Sequence, residues 1–322
     1  MDGRCSATNR RRNSSYGRAS SRLLPIPNKT AMPKSAFVAI AGRPSAGKST
    51  LLNALCGQKV SIVSPVPQTT RNAVRGIVNK NDGQLVFLDT PGYHISEKKL
   101  NLRLRDVSTE AFADADIILY LVDATRKPGP EEEAIADALV PAADRLVAAI
   151  NKIDSSEADL DASLLFVAGK FPKAKVFEIS ALESKGLDEL LAALFARAPE
   201  GPAWYPEEYY TDQEPVFRIA EIIREKVFLL ARDELPHAVY VSHEDSSRGA
   251  DGSLLAQYDL VVERESQKGI LIGKGGSMIK RIREDAETDL AGIFDYEVRL
   301  KLSVRVDPDW KRNDKKLDRL IF

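Results

Sequence analysis

The chain has 322 residues, enough for two domains that each bury a core of their own. Its 46 Lys and Arg against 47 Asp and Glu give a net charge of −1, so only local clusters of charge can indicate a nucleic-acid or membrane partner. Two cysteines, Cys5 and Cys56, exclude a disulfide-built scaffold and favour a reducing, intracellular environment with Cys56 buried. No apolar run reaches the roughly eighteen residues that span a bilayer, so we expect a soluble protein.

Residues 1–34 are basic, rich in serine and without apolar periodicity, which indicates disorder. The same composition suits an organelle transit peptide, although it lacks the apolar core of a secretory signal. A third interpretation is that translation begins at Met32 and that the leader is an artefact of gene prediction. We favour the artefact, because the first predicted strand starts directly after Met32.

Residues 42–49 have the spacing of a phosphate-binding loop: Gly42 and Gly47 precede Lys48 and Ser49, between a strand-like run and a helical pattern. Glycines let backbone N–H groups surround phosphates, and the helix N-terminus adds a partial positive charge. We therefore predict that Lys48 reaches the β- and γ-phosphates and that Ser49 offers its hydroxyl to Mg²⁺. The predicted nucleotide contacts in this loop are Gly42, Arg43, Pro44, Ser45, Ala46, Gly47, Lys48, Ser49 and Thr50.

From residue 35 to about residue 198, strand-like apolar runs alternate with helical patterns. Such alternation predicts an α/β domain with a mostly parallel sheet covered by helices on both faces. In this architecture ligands bind beyond the carboxyl ends of the strands, so residues that follow strands are candidates for a site. The strand-like runs are 36–41, 74–78, 85–88, 117–122, 146–150 and 176–179.

One short motif, Asp89-Thr90-Pro91-Gly92, follows the run 85–88. Asp89 can hold Mg²⁺ through water, and the N–H of Gly92 can meet a γ-phosphate. We predict that all four residues contact the nucleotide. Alone, a motif of this length is weak evidence.

Two further motifs follow later strands. In Asn151-Lys152-Ile153-Asp154 the Asp154 carboxylate can accept from the ring N–H and the exocyclic amino group of guanine, a pair of donors that adenine lacks. Ser180-Ala181 offers a backbone N–H for the guanine oxygen. Together with the phosphate loop and Asp89-x-x-Gly92, the order of the motifs predicts a guanine-nucleotide site. The predicted base contacts are Asn151, Lys152, Asp154, Ser180 and Ala181.

Proline and glycine concentrate in residues 199–215 and predict a hinge or linker. The next segment, 216–231, has apolar residues at helical spacing, so an amphipathic helix opens a second domain. Two strands are predicted after it, at 238–242 and 254–262, and a last strand at 298–306.

Residues 273–276 read Gly-Lys-Gly-Gly before a predicted helix that begins near Met278. The pattern GxxG allows backbone N–H groups to approach a single-stranded nucleic-acid backbone, although an ordinary helix-start turn has the same form. Local charge favours RNA, because no acidic residue stands between Ser266 and Arg283. The predicted RNA contacts are Lys268, Gly273, Lys274, Gly275, Gly276, Lys280 and Arg281.

These motifs together resemble the Ras-like P-loop GTPases, and in particular the bacterial ribosome-assembly GTPases that carry a KH domain. The resemblance covers residues 35–322. It implies a GTPase domain at 35–198, a linker at 199–215, and an α+β KH domain of type II at 216–322.

The resemblance implies GTP/GDP and Mg²⁺ as cofactors and GTP hydrolysis as the reaction. It further implies a monomer that binds the 3′ end of 16S ribosomal RNA, assists assembly of the 30S ribosomal subunit, and resides in the cytoplasm with a peripheral inner-membrane fraction. An alternative is an RNA-binding protein with a catalytically weak nucleotide domain, which the intact Lys48, Ser49 and Asp89 argue against.

The resemblance also assigns roles in catalysis. In Gln68-Thr69-Thr70-Arg71 one threonine senses the γ-phosphate and completes the magnesium shell, and we favour Thr70. Tyr93 stands where many Ras-like proteins place a water-orienting glutamine. Relatives often have asparagine at the position of Ser45, where in some it helps hold a potassium ion, so we expect slow hydrolysis with little potassium stimulation. The predicted catalytic residues are Lys48, Thr70, Asp89 and Gly92, and the predicted metal ligands are Ser49, Thr70 and Asp89.

Overall fold

The computed structural model describes residues 33–66, 69–81, 83–92, 99–232 and 235–311. The predicted leader up to residue 32 lies outside this part of the chain, as do Gln68 and Tyr93. No helix of the described residues is both long enough and apolar enough to cross a membrane. In chain order the elements are β1 (Lys34–Ala41), α1 (Lys48–Cys56), β2 (Val74–Lys80), β3 (Gly83–Asp89), α2 (Lys99–Asp114), β4 (Ile117–Asp123), α3 (Pro130–Leu139), β5 (Leu146–Asn151), α4 (Leu160–Lys170), β6 (Lys175–Glu178), α5 (Leu187–Arg197), α6 (Pro215–Leu230), β7 (Tyr240–Arg248), β8 (Leu254–Val262), α7 (Glu265–Ile272), α8 (Ser277–Ala291) and β9 (Val298–Val306).

The first sheet has the strand order β2-β3-β1-β4-β5-β6 among the described residues. Only the β2–β3 pair is antiparallel, so the predicted mostly parallel sheet is confirmed. Successive residues of β1 face opposite cores: Val38 and Ile40 pack with α1 and α5, whereas Ala39 and Ala41 pack with α3 and α4. Because helices cover both faces, the strands read as continuous apolar runs.

The register of this sheet brings the predicted motifs to one edge. Ile40 near the end of β1 pairs with Asp89 at the end of β3, and Asp123 at the end of β4 pairs with Asn151 at the end of β5. All these strands are parallel, so their carboxyl ends meet at the same side of the domain. The loops that follow them therefore surround one place.

The second sheet has the order β7-β8-β9, with β7 antiparallel and β9 parallel to β8. Tyr258 and Leu260 on β8 pack with Ile219 and Ile223 on α6 and with Ile282 on α8, and all five are fully buried. The strands and the helices α6 and α8 match the predicted pattern. The sequence did not predict α7, because its eight residues include Ser and Gly and show only a weak apolar stripe. It also placed the start of β7 two residues early and its end six residues early.

The predicted linker lies along β2, which is the edge strand of the first sheet. Ile77 N donates to Tyr210 O over 2.9 Å, and Thr211 Oγ1 donates to Arg75 O over 2.8 Å. An edge strand exposes unpaired backbone groups, and the linker satisfies part of them. Hydrogen bonds therefore fasten this segment to the edge of the sheet.

The side chain of Gln84 on β3 fixes the start of the linker. Its Oε1 accepts from the backbone N–H groups of Trp204 and Tyr205 over 2.8 and 3.0 Å, and its Nε2 donates to Tyr205 O over 2.9 Å and to Asn79 Oδ1 over 2.8 Å. The residue is buried. Removing this amide leaves three backbone groups of the linker without their partners.

Gln84→Ala is expected to lower the free energy of unfolding by about 2–3 kcal/mol, because buried polar groups lose their hydrogen bonds. Urea unfolding measures the change, and Lys80→Ala on exposed β2 surface serves as the control, with an expected effect of less than about 0.5 kcal/mol. Equal stability of the two variants would show that the linker is held by other contacts.

Candidate functional site

The phosphate-binding loop connects β1 to α1 and turns sharply at Gly47. This residue has a φ of +97°, a backbone conformation that favours glycine. A Cβ added there would lie 2.3 Å from Asn151 Nδ2, so the loop and the end of β5 approach too closely for any side chain. Ser45, at the tip of the loop, is exposed and has a φ of +63°.

Lys48 at the start of α1 is buried beneath the loop. Its Nζ donates to Gly42 O over 3.1 Å and to Arg43 O over 2.9 Å. Burial lowers the pKa of Lys48 to about 8, although the carboxylates of Asp89 and Glu132 act in the opposite direction. The ammonium is thus held by carbonyl oxygens, and an anion at the loop would complete its coordination.

Asp89 at the end of β3 is fully buried and gathers hydroxyl groups from two segments. Its Oδ2 accepts from Ser49 Oγ over 2.6 Å and from Ser61 Oγ over 2.7 Å. Ser49 Oγ lies 3.0 Å from Thr70 Oγ1. Burial raises the pKa of Asp89, with Lys48 and the hydroxyls opposing the rise. The structure therefore brings the three predicted metal ligands together, and adds Ser61, which the sequence did not single out.

The two neighbouring threonines face different partners. Thr70 Oγ1 lies beside Ser49, whereas Thr69 Oγ1 donates to Val66 O over 2.7 Å and lies 2.6 Å from Ser64 Oγ. Thr69 is thus engaged within its own loop. The geometry therefore distinguishes Thr70 from Thr69, for which the sequence alone offered no physical argument.

The rest of the motif after β3 is held by the protein itself. Thr90 Oγ1 donates to Ile40 O, and Pro91 O accepts from Ser108 Oγ, each over 2.9 Å. Gly92 follows them, close against Pro44 of the phosphate loop. Thr90 and Pro91 therefore fix the position of Gly92.

Asn151 joins the phosphate loop to the loop that follows β6. Its Nδ2 donates to Ala46 O and its Oδ1 accepts from Ala181 N, each over 2.9 Å. Ser180 is buried, and its Oγ accepts from Glu183 N over 3.0 Å. The two loops are thus tied by one buried amide.

Lys152 has a φ of +69°, and its Nζ donates to Asp123 Oδ2 over 2.6 Å. Burial raises the pKa of Asp123, but hydrogen bonds from Lys152 and Thr125 outweigh it, and the net shift is downward. Asp154 follows on the exposed side of the turn. The segment 151–154, predicted to recognise the base, therefore has two residues engaged with the protein and one carboxylate open to solvent.

A cavity of about 530 Å³ opens between the phosphate loop and residues 62–66, 69 and 70. Thr50 lines it, and so does Leu229 at the end of α6, a residue of the second sheet's layer that the sequence did not single out. Its size is in the range of small-ligand sites. The lining includes Lys48, Ser49, Thr70, Gly92 and Lys152.

Arg43 differs from the other predicted contacts of the loop. Its side chain is buried and forms an ion pair with Glu132 on α3. Only its backbone remains directed to the loop. The prediction of a nucleotide contact for Arg43 therefore concerns its main chain.

The glycine loop at 273–276 precedes α8 and is open to solvent. Gly275 has a φ of +59°, and a Cβ added there would meet nothing within 4 Å. The first turn of α8 holds no acidic residue. Lys280 and Arg281 on that helix have side chains 67% and 69% exposed, with long ion pairs of 3.8 and 3.7 Å to Glu284 and Asp285. Lys268, on the preceding helix, is half-buried, and Lys274 is exposed.

Contacts to α6 fasten the segment between α1 and β2. Val63 N donates to Glu225 Oε1 over 2.8 Å, and Arg224 donates to Thr69 O over 2.5 Å. Ile62 belongs to the buried core of the second sheet. The sequence feature that could have indicated these contacts is the charged run Arg224-Glu225-Lys226 inside an otherwise apolar helix pattern.

Two family models match the chain. One, described as "50S ribosome-binding GTPase", matches residues 37–152, and one described as "KH domain" matches residues 234–311. GTPase Era of Treponema denticola is 49% identical over 292 residues, which are 89% of this chain and 99% of the relative. The chain belongs to the Era family of GTPases. GTPase Era of Borreliella burgdorferi is 42% identical over 289 residues, 89% of this chain and 99% of the relative.

Solved Era structures have the same arrangement. A crystal structure of an Aquifex aeolicus Era variant bound to GDP and AlF4⁻ has a TM-score of 0.85 and 36% identity, and covers 89% of this chain and 98% of that one. A crystal structure of Era in complex with MgGDPNP and nucleotides 1506–1542 of 16S ribosomal RNA gives the same values. The predicted fold, a P-loop GTPase domain followed by a KH domain, and the predicted GTPase activity are thereby confirmed.

Gly47→Ala is expected to weaken GDP binding about tenfold or more, because the added Cβ collides with Asn151 and displaces the loop. Gly57→Ala is the matched control. It stands at the other end of α1 with a φ of +63° and open space around it, so it adds backbone strain alone. Titration calorimetry with GDP measures both. Equal losses of affinity would mean that strain, rather than the contact with Asn151, determines the effect.

Proposed function

We propose that this Era-family GTPase binds GTP with Mg²⁺ at the phosphate loop, binds the 3′ end of 16S ribosomal RNA at its glycine loop, and assists assembly of the 30S subunit. The observation that carries the proposal is the meeting of Lys48, Ser49 and Thr70 around one cavity, with the buried carboxylate of Asp89 hydrogen-bonded to Ser49 behind them. The Era neighbour in complex with MgGDPNP and 16S ribosomal RNA supports both ligands.

The oxygen atoms around Asp89 fit a magnesium ion. Asp89 Oδ1 is buried and has no hydrogen-bond partner among the described residues, its Oδ2 accepts from Ser49 and Ser61, and Thr70 Oγ1 lies beside Ser49. Mg²⁺ prefers such oxygen ligands, together with water and phosphate. We propose Ser49, Thr70 and Asp89 as the residues that hold it. When bound, Mg²⁺ neutralises charge on the β- and γ-phosphates.

The remaining site residues are proposed for phosphate and base. Lys48 supplies positive charge to the β- and γ-phosphates, and the backbone N–H groups of the loop surround them. The N–H of Gly92 meets the γ-phosphate. On the base side, the exposed Asp154 accepts from guanine, while Asn151 and Lys152 hold the surrounding loops in place. The proposed nucleotide contacts also include Gly42, Arg43, Pro44, Ser45, Ala46, Gly47, Thr50, Thr90, Pro91, Ser180 and Ala181.

The glycine loop is proposed as the clamp for the RNA backbone. Gly275 leaves open space in which a phosphate can approach the backbone, at the N-terminus of a fifteen-residue helix without acidic residues in its first turn. Lys280 and Arg281 extend from this end of α8. When such side chains bind phosphates, they release counterions from the nucleic acid, which favours association. The proposed RNA contacts are Lys268, Gly273, Lys274, Gly275, Gly276, Lys280 and Arg281.

Further proposals rest on family membership. We divide the chain into a GTPase domain at 35–198, a linker at 199–215 and a KH domain at 216–322. We propose a monomer in the cytoplasm with a peripheral inner-membrane fraction, and slow intrinsic hydrolysis. The slow rate stays a prediction, because Tyr93 lies outside the described residues.

Thr70→Val is expected to raise about tenfold the Mg²⁺ concentration needed for half-maximal binding of a GTP analogue, because it removes one metal ligand. Thr69→Val is the matched control, with the same change one residue earlier, and should leave the Mg²⁺ requirement unchanged. Fluorescence titration with a labelled analogue measures both. A larger shift for Thr69→Val would reverse the assignment.

Gly275→Asp is expected to weaken binding of a 16S ribosomal RNA 3′-end oligonucleotide at least about tenfold, because it puts a negative charge where a phosphate must approach. Gly275→Asn has nearly the same shape and tolerates a positive φ, so it isolates the charge, and its loss should be much smaller. GDP affinity should stay unchanged in both, which confirms the fold. Unchanged RNA affinity in Gly275→Asp would exclude the glycine loop as the clamp.

A further inference from the structure

A buried polar cluster lies behind the phosphate loop, on the side away from the cavity. Arg43 pairs with Glu132 in the first turn of α3, and both side chains are almost fully buried. Glu132 Oε1 also accepts from Tyr120 Oη over 2.5 Å. One carboxylate is thus shared by a residue of the loop and a residue of the central strand β4.

The guanidinium of Arg43 is held from further sides. Its Nη2 donates to Arg126 O over 3.1 Å and its Nη1 to Lys127 O over 3.4 Å, both in the turn between β4 and α3. Arg126 in turn donates to Pro44 O over 3.4 Å. The turn and the phosphate loop are therefore joined in both directions.

A buried ion pair is a poor source of stability, because desolvation of two charges offsets most of their attraction. Apolar residues of similar volume often serve the fold equally well. Burial raises the pKa of Glu132, against hydrogen bonding from Tyr120 and the charge of Arg43. The cluster is therefore better explained by the geometry that it imposes than by a gain in stability.

A single hydrogen bond connects this cluster to the phosphate site. The carbonyl oxygen of Arg43 is the acceptor of the Lys48 Nζ hydrogen bond at 2.9 Å. When Glu132 fixes the side chain of Arg43, it also fixes this carbonyl. The position of the Lys48 ammonium thus depends on a carboxylate that does not line the cavity.

We propose that Glu132 is a positioning residue of the phosphate site, acting through Arg43 on the backbone that holds Lys48 and surrounds the phosphates of both GTP and GDP. The inference rests on the proposed nucleotide site at this loop. It adds a residue of α3 to the groups that determine nucleotide affinity. Tyr120 assists by orienting the same carboxylate.

The test compares Glu132→Gln with the double variant Glu132→Gln/Arg43→Met in the full chain. Glu132→Gln leaves a buried cation without its partner, so the urea midpoint falls and the dissociation constant for GDP rises about tenfold. The double variant removes both charges, so the midpoint returns close to the wild-type value. Because the Arg43–Glu132 ion pair is absent, the dissociation constant of the double variant for GDP stays about tenfold higher than that of the wild type.

Leu139→Ala is the control. It truncates a fully buried core residue at the other end of α3, and should lower the midpoint while leaving GDP affinity unchanged. If the double variant binds GDP as tightly as the wild type, Glu132 serves the fold alone and the proposal is overturned. If Glu132→Gln does not fold, the double variant decides by the same comparison. A wild-type chain that binds neither GDP nor GTP would overturn the proposed nucleotide site itself, which is a different outcome.

Discussion

The buried carboxylate of Asp89 is the constraint on which the two halves of the structure depend. A carboxylate at zero exposure needs hydrogen-bond donors, and it obtains them from Ser49 on α1 and from Ser61 beyond that helix. The segment that contains Ser61 also contains Thr70, whose hydroxyl completes the cluster at Ser49. The described parts of this segment, residues 57–66 and 69–73, are therefore held on one side by Asp89 and Ser49.

The other side of the same segment is held by the helices α6 and α8. Glu225 on α6 accepts from Val63 N, and its Oε2 accepts from Lys59 over 2.5 Å. Lys59 also donates to Asp289 on α8, the helix that follows the glycine loop, over 2.7 Å. Because this segment contacts both the hydroxyl cluster at Ser49 and the C-terminal end of α8, we infer that a change at Thr70 alters contacts that reach α8. Allosteric coupling requires such a shared element, and it acts equally in both directions.

The sequence predicts those parts that depend on local pattern. Continuous apolar runs gave the strands of the parallel sheet, and the glycines of the phosphate loop gave the turn into α1, because both follow from burial and backbone conformation. Contacts between distant side chains that belong to no motif did not follow from local pattern. The ion pair of Arg43 with Glu132 and the different directions of Thr69 and Thr70 depend on tertiary packing. The segment 199–215, predicted as a hinge or linker from its prolines and glycine, is held by Gln84, whose role becomes visible only when the strand order is known.

The most direct test of this account is the affinity for a labelled 16S ribosomal RNA 3′-end oligonucleotide, measured by fluorescence anisotropy at constant salt. The chain is loaded in turn with a Mg²⁺–GTP analogue and with GDP. We expect RNA affinity to differ between the two nucleotide states by about fivefold or more, because the segment contacts both the nucleotide loop and α8. Equal RNA affinity in the two nucleotide states would contradict the claim that the segment containing Lys59, Val63 and Thr70 couples the two sites.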